Sequence, residues 1–93
     1  MAKVELNLLN IFWLYVKKKA IEYQGKNVGD IISQFINEHK DELDGRLLSK
    51  NKKKLNSQML ILLNGKDVHY MKKYRTKLKD GDQIYLSAPL SGG

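Results

Sequence analysis

The sequence contains no cysteine, which excludes disulfide bonds and thiol nucleophiles and leaves apolar burial to hold the fold together. No apolar run approaches the roughly 20 residues of a membrane span. The first ten residues, "MAKVELNLLN", lack the charged, apolar and small-residue segments of a secretory signal. These absences favour a soluble cytoplasmic protein that has no membrane partner.

Acidic residues are few, with 10 Asp and Glu against 17 Lys and Arg, and the formal net charge is +7. The excess is clustered at residues 17–19, 50–54 and 72–73. Such clusters are typical either of a solvated lysine-rich surface or of a protein that meets an acidic partner. Aromatic residues are not interleaved with the lysines as a base-stacking platform requires, and this pattern argues against nucleic-acid binding.

The 93 residues, 42% of them hydrophobic, predict a single domain with a small core. Alternating apolar residues predict a strand over residues 3–9. The apolar cluster that follows, residues 11–16, has no clean period and fits either an extension of that strand or a short helical connector. Residues 19–25 then predict a second strand that forms a hairpin with the first.

A helix is predicted over residues 28–44 because Val28, Ile31, Ile32, Phe35 and Ile36 recur at helical spacing. Asn27 is placed to cap its first turn, with the Asp30 carboxylate near the positive end of the helix dipole. Gly45 occupies a position typical of a helix end. The helix should therefore bury one face against a sheet.

The second half of the chain predicts a polar loop with a possible small hairpin near Asn51, then two strands. One covers residues 58–65, and in the other Ile84, Leu86 and Ala88 alternate inward. The order strand, strand, helix, strand, strand gives a two-layer α+β fold with one main helix packed across a mixed sheet.

The interior offers no pattern typical of an active site or a metal site. His39 and His69 have no ligand partners at metal-binding spacing. Asp80 and Asp82 resemble a carboxylate pair, but Asp-Gly-Asp before a strand is first a turn signature.

The C-terminal sequence "APLSGG" combines features that suit delivery into another protein. Pro89 ends the ladder of the last strand, and Leu90 and Ser91 offer a small apolar grip. Gly92 and Gly93 fit a channel too narrow for other residues. Extended, residues 89–93 span roughly 15–18 Å. An ionised α-carboxylate there is a nucleophile for the α-phosphorus of ATP, although a short glycine-rich end without function fits the tail equally well.

Three segments, taken in order, resemble a known family. They are "LNIFWLYVKKKAIEYQGKNVGDII", "LILLNGKDV" and "TKLKDGDQIYLSAPLSGG". Together they are similar to the ubiquitin-like sulfur carriers, above all to the small subunit of molybdopterin synthase. The resemblance implies a β-grasp domain over residues 1–88 and a flexible tail over residues 89–93.

The resemblance further implies that the chain is a carrier and not an enzyme, with Gly93 adenylated by a ubiquitin-activating-type adenylyltransferase and then thiocarboxylated. Gly92 would allow threading, and the channel of a large catalytic subunit would grip Leu90 and Ser91. ATP and a sulfur donor protein would serve the partner enzymes, and the chain itself would hold no permanent cofactor or metal. Docking residues would be Tyr85, Ser87 and Phe12.

Two other functions fit the same sequence. A ubiquitin-like modifier would share the adenylation step and then attach Gly93 to a lysine of another protein. A basic β-grasp module that binds nucleic acid would use the lysines of residues 50–54, but it leaves Gly92 and Gly93 without a task.

Overall fold

A computed structural model describes residues 1–89. Seven helices and strands form its framework, and three short 3₁₀ helices join them. In chain order, the framework consists of β1 (Ala2–Leu8), α1 (Asn10–Val16), β2 (Ala20–Gly25), α2 (Val28–His39), β3 (Leu60–Leu63), β4 (Lys66–Asp67) and β5 (Gln83–Ser87). The 3₁₀ helices are Gly45–Leu47, Val68–Tyr70 and Lys73–Arg75.

The five strands form one mixed sheet in the order β2-β1-β5-β3-β4. β1 and β5 lie parallel at its centre, with Leu6 opposite Ile84, and the other neighbouring pairs are antiparallel. α2 packs across one face, and the other face is open. This confirms the two-layer α+β arrangement and the β-grasp fold.

The core lies between the sheet and α2. Its side chains come from alternate residues of the strands and from the apolar face of the helix. Val4, Leu6 and Leu8 alternate inward along β1, while the apolar face of α2 meets them from above. Phe35 of that helix lies 6.3 Å, centroid to centroid, from Phe12 of α1. Both rings are fully buried, so α1 belongs to the same core as the main helix.

The start of α2 follows the sequence prediction in detail. Asn27 Oδ1 accepts a hydrogen bond from Asp30 N (2.9 Å), and Asp30 Oδ2 accepts from Lys26 N (2.7 Å) and more weakly from Asn27 N. These reciprocal bonds form a capping box, which satisfies amides that the first helical turn leaves without partners.

The end of α2 differs from the prediction, since the helix stops at His39 and not at Asp44. The amides of Glu42 and Leu43 both donate to His39 O, which closes the chain into a turn. Leu43 is still buried, so its apolar character reflects the core and not a continuing helix. Asp44 caps the following 3₁₀ helix at Arg46 N.

Four further features correct or complete the expectations. The apolar cluster after β1 forms the helix α1, which is one of the two structures that the sequence predicted for it. The apolar run over residues 58–65 forms β3 at Leu60–Leu63, and it ends, as predicted, in a turn at Asn64 and Gly65, which have positive φ (52° and 89°). That turn leads into β4, a two-residue strand that was not predicted. Ala88 lies beyond the end of β5.

Within residues 1–89, no helix combines the length and the apolar character needed to cross a lipid bilayer.

Candidate functional site

The exit of β5 toward the C-terminus is the candidate functional site. β5 is held on both sides, by β1 in parallel and by β3 in antiparallel pairing. The last paired residue is Ser87, opposite Leu60. Ala88 and Pro89 follow outside the strand, and Pro89 is exposed. The chain therefore leaves the sheet from a central strand that is paired on both sides.

Asn10, the first residue of α1, clasps this exit from the side. Its Nδ2 donates to Ser87 Oγ (2.8 Å) and to Ala88 O (3.0 Å), and its Oδ1 accepts from Ala88 N (3.1 Å). The same Oδ1 accepts from Ile11 N (2.7 Å), which fixes the side-chain orientation. Asn10 has a φ of 40°, a left-handed conformation that asparagine tolerates better than most residues. We call this arrangement the Asn10 clasp.

The Asn10 clasp was missed by sequence reasoning. An asparagine between a strand and an apolar segment is typical of a turn or a helix start. Its partners, however, lie 77 and 78 positions away in the sequence. Only the parallel pairing of β1 with β5 brings the ends of those strands together.

Two of the predicted docking residues lie on the open face of the sheet. Tyr85 pairs with Asn7 on one side and Leu62 on the other, and Ser87 pairs with Leu60. The side chains of β5 alternate, and Tyr85 and Ser87 are half-buried while Ile84 and Leu86 point into the core. Their use in docking stays a prediction.

Phe12, the third predicted docking residue, has a different position. Its side chain is 0% exposed and packs on Phe35, so it cannot meet a partner unless α1 moves. Its neighbour Trp13 is 42% exposed and Leu14 is 61% exposed. Of the apolar cluster in α1, these two side chains reach the surface, and Phe12 anchors the helix.

The tail residues Leu90, Ser91, Gly92 and Gly93 lie outside the described residues. Their roles in threading and reaction stay predictions. Of the predicted tail, the structure describes Pro89 alone.

The other candidate polar groups have structural partners. His39 Nδ1 lies 2.7 Å from Glu42 Oε1, and His69 is exposed. Asp80 Oδ1 accepts from Lys3 N, and the two carboxylate oxygens of Asp82 accept from Lys79 N and Asn64 Nδ2. Both aspartates therefore hold turns, as their sequence context indicated. Nowhere in residues 1–89 do three His, Cys, Asp or Glu side chains group as a metal site.

Comparison with protein-family models places the ThiS family on residues 12–93, which is most of the chain. The chain belongs to the ThiS family. This confirms the resemblance to ubiquitin-like sulfur carriers, and sulfur carriers of this family are small carrier proteins rather than catalysts. No curated protein sequence matches the chain significantly.

Solved structures of ThiS-like proteins superpose over nearly the whole chain. Small archaeal modifier protein 1 from Methanosarcina acetivorans is 24% identical with a TM-score of 0.86, covering 100% of this chain and 98% of that one. In the Amycolatopsis orientalis BexX/CysO complex, the matching chain is 24% identical with a TM-score of 0.76, covering 97% and 99%. A putative molybdopterin converting factor subunit 1 from Pyrococcus furiosus is 21% identical with a TM-score of 0.69, covering 97% and 100%. At these identities the likeness shows a common fold.

Proposed function

We propose that this ThiS-family chain carries sulfur as a thiocarboxylate on Gly93. The observation that carries the proposal is the family match, which extends through the last residue and includes Gly92 and Gly93. The geometry of the exit supports it, since the central strand β5 leads directly into exposed Pro89. A tail that starts from a rigid point is suited to insertion into a partner.

The reaction requires that Gly93 is the free C-terminus, and it starts at the α-carboxylate of that residue. With a reference pKa of about 3.3–3.7, the carboxylate is ionised at neutral pH. It attacks the α-phosphorus of ATP in an adenylyltransferase, forming an acyl adenylate and releasing pyrophosphate. The outer sulfur of a persulfide on a donor protein then attacks the acyl carbon, so the acyl C–O bond breaks, AMP leaves and a C–S bond forms. A thiol reductant cleaves the S–S bond of the resulting acyl disulfide, which leaves the thiocarboxylate on Gly93 and returns the donor thiol.

Partner enzymes supply the catalytic groups, and the tail supplies reach and a narrow cross-section. Gly92 passes a channel that excludes side chains, while Leu90 and Ser91 provide the grip. Tyr85 and Ser87 contribute to docking on the open face of the sheet, which adjoins the exit of β5.

The pathway that we propose is molybdenum or tungsten cofactor synthesis, with the chain as the small subunit beside a large catalytic subunit. The likeness to the Pyrococcus furiosus protein, described as a putative molybdopterin converting factor subunit, supports this choice. Attachment of Gly93 to lysines of other proteins is a second candidate. The likeness to small archaeal modifier protein 1 favours it, and both functions share the adenylate.

A transfer assay separates the two candidates. The thiocarboxylated chain is mixed either with the large subunit and a pyranopterin precursor or with a cell extract, ATP and the adenylyltransferase. Sulfur incorporation into the pterin supports cofactor synthesis, and covalent adducts on other polypeptides support modification. A chain that lacks Gly93 is the control and should do neither. Activity of that shortened chain in either assay would contradict both functions.

A further inference from the structure

The lysine-rich segment at residues 50–54, which the proposed function does not use, borders a cleft of about 750 Å³. We call it the lateral cleft. It lies on the side of the molecule that carries β3, β4 and two of the 3₁₀ helices. Aliphatic side chains form its floor, and lysines form much of its rim.

The floor of the lateral cleft is apolar and continuous with the core. Leu48, Leu55, Ile61 and Val68 line it and are also members of the main hydrophobic cluster. Met59 adds a half-buried side chain to the lining. A pocket whose floor is already packed loses little conformational entropy when a ligand binds.

Backbone hydrogen bonds hold the lysine segment beside this floor. Leu48 and Leu55 form an isolated antiparallel bridge. Next to it, Ser49 N donates to Lys54 O (2.8 Å), and Leu55 N donates to the hydroxyl of Tyr74 (3.4 Å). The lysines at residues 50–54 are therefore carried on a closed turn, which fixes them at the edge of the cleft.

The rim of the lateral cleft is positively charged. Lys50, Lys54 and Lys73 line it, with Asp67 as the one acidic lining residue. Asp67 Oδ1 already accepts from His69 N (2.8 Å). The ammonium of Lys54 lies 5.3 Å from the centroid of the Tyr74 ring. Over residues 1–89, ion pairs involve only histidine or arginine as the basic partner, so the rim lysines carry uncompensated charge.

We propose that the lateral cleft binds a short acidic segment of a partner protein. One apolar side chain of that segment rests on the floor, and flanking carboxylates meet Lys50, Lys54 and Lys73. The combination of an apolar anchor pocket with a rim of one charge sign is what such a segment requires. This site is separate from the exit of β5, so the proposal stands or falls independently of the chemistry at Gly93.

The composition of the floor favours a peptide over nucleic acid. Single-stranded nucleic acids bind through stacking of bases on exposed aromatic rings. In the lateral cleft the Lys54 ammonium lies over one face of the Tyr74 ring, 5.3 Å from its centroid, and most of the floor is aliphatic. Aliphatic side chains accept a leucine or phenylalanine side chain well but offer no stacking platform for a base.

The test uses fluorescein-labelled heptapeptides and the full chain. The anchored probe is Asp-Glu-Asp-Leu-Phe-Asp-Glu, and in its matched control both apolar residues are serine. A twelve-nucleotide oligouridylate tests the nucleic-acid alternative. Anisotropy at low ionic strength gives affinities, and ¹H–¹⁵N spectra locate the contact. We expect the anchored probe to bind saturably and to shift the amides of Leu55, Met59 and Val68.

Two sets of substitutions separate a defined site from general charge attraction. The rim variant combines Lys50→Gln, Lys54→Gln and Lys73→Asn, with Asn chosen because Lys73 has a φ of 53°. The control variant Lys18→Gln, Lys19→Gln, Lys40→Gln removes the same charge at exposed positions outside the lining. Since each surface ion pair contributes a factor of about 1.4–5, the rim variant should bind about tenfold more weakly, while the control variant binds about as the native chain does.

The substitution Met59→Gln tests the floor. It should weaken binding of the anchored probe severalfold and leave the affinity for the serine peptide unchanged. Equal losses in the rim and control variants would overturn the proposal, as would equal binding of both peptides. Tighter binding of oligouridylate than of the anchored probe would identify nucleic acid as the ligand. The proposal would also be overturned if no amide signal shifted in the ¹H–¹⁵N spectra at millimolar concentrations of the anchored probe.

Discussion

Asn10 is the residue that connects the body of the domain to the proposed chemistry. Its side chain makes three hydrogen bonds to Ser87 and Ala88, at the point where the chain leaves β5. Ordering one backbone residue costs about 1–2 kcal/mol of conformational entropy. By fixing Ala88 before a partner binds, the Asn10 clasp lowers the cost of presenting the tail in one direction.

Substitution Asn10→Ala should therefore impair adenylation of the tail more than it impairs folding. We expect kcat/KM with the adenylyltransferase, followed by pyrophosphate release, to fall about five- to tenfold, mainly through a higher KM. The free energy of unfolding should fall by about 2–3 kcal/mol, of which about 1 kcal/mol comes from the lost exposed hydrogen bonds and about 1–2 kcal/mol from alanine in the left-handed conformation of this position. Faster hydrogen exchange at the Ala88 amide should accompany the loss.

The matched control is Asn7→Ala. Asn7 also bonds from β1 to β5, donating to Gln83 Oε1 (3.0 Å) and Ile84 O (3.1 Å), but it lies farther back along the strand. This variant should lose about 1–2 kcal/mol of stability through its two lost hydrogen bonds and keep its KM. If both variants changed the KM equally, the effect would be one of stability, and the positioning role of Asn10 would be refuted.

The sequence does not predict which individual side chains of α1 are buried and which are exposed. The apolar cluster in α1 was correctly identified as core or interface, but its members could not be divided between the two. Phe12 points inward and Trp13 outward, and that choice depends on the angle at which α1 meets the sheet. Likewise, the clasp depends on a strand pairing between opposite ends of the chain.

At the scale of elements, the hydrogen bond between Tyr23 and Glu38 is one of the polar contacts that tie α2 to the edge strand β2. The Tyr23 hydroxyl donates to Glu38 Oε1 at 2.7 Å. Burial raises the pKa of Tyr23 well above its ordinary value of 10.0, and the hydrogen bond and negative charge of Glu38 raise it further. The folded state therefore holds the proton more tightly than the unfolded state does.

That shift predicts a loss of stability in alkali. Below pH 10 Tyr23 is neutral in both states, and its contribution is fully present. As the pH rises above 10 the unfolded chain loses the proton while the folded chain keeps it, so the free energy of unfolding decreases. Urea unfolding of native and Tyr23→Phe chains between pH 8 and pH 11 measures this. Tyr23→Phe should be less stable by about 1 kcal/mol at pH 8 and should show a flatter decline; parallel curves would contradict the assignment.

The junction of β2 with α2 makes a second prediction. A Cβ on Gly25 would lie 2.7 Å from Asp30 Cβ and 3.0 Å from Ile31 Cδ1. Gly25→Ala should therefore displace the capping box and lower the free energy of unfolding by about 1–3 kcal/mol. Gly45→Ala is the control, because no atom lies within 4 Å of its Cβ position, and it should be neutral or slightly stabilising. Equal stability of both variants in urea would refute the predicted clash.

The elements differ in how well the sequence predicts them. α2 begins where Asn27 and Asp30 place it, since a capping box is a local pattern. Its end was predicted five residues too late, because Leu43 continues the apolar stripe while the backbone has already turned. β4 escaped prediction because two residues are too few to show a period, and only pairing with β3 defines them as a strand.

At the scale of the whole molecule, this ThiS-family chain has two separate surfaces to which a function is proposed. One is the exit of β5 with the Asn10 clasp, from which the tail is proposed to enter partner proteins. The other is the lateral cleft, and the lysines of its rim carry part of the positive charge that gives the chain its net charge of +7. The fold class and the family followed from the order of motifs along the chain, whereas the two surfaces required three-dimensional contacts.

Intact-mass analysis of the chain after incubation with ATP, the adenylyltransferase and a sulfur donor tests the central claim most directly. The account predicts a mass increase equal to replacement of one oxygen by sulfur, located by fragmentation to Gly93. It should be absent without ATP and absent when Gly92 and Gly93 are deleted. An unchanged mass under conditions in which the same adenylyltransferase modifies a known carrier, or a sulfur atom located elsewhere in the chain, would contradict the account.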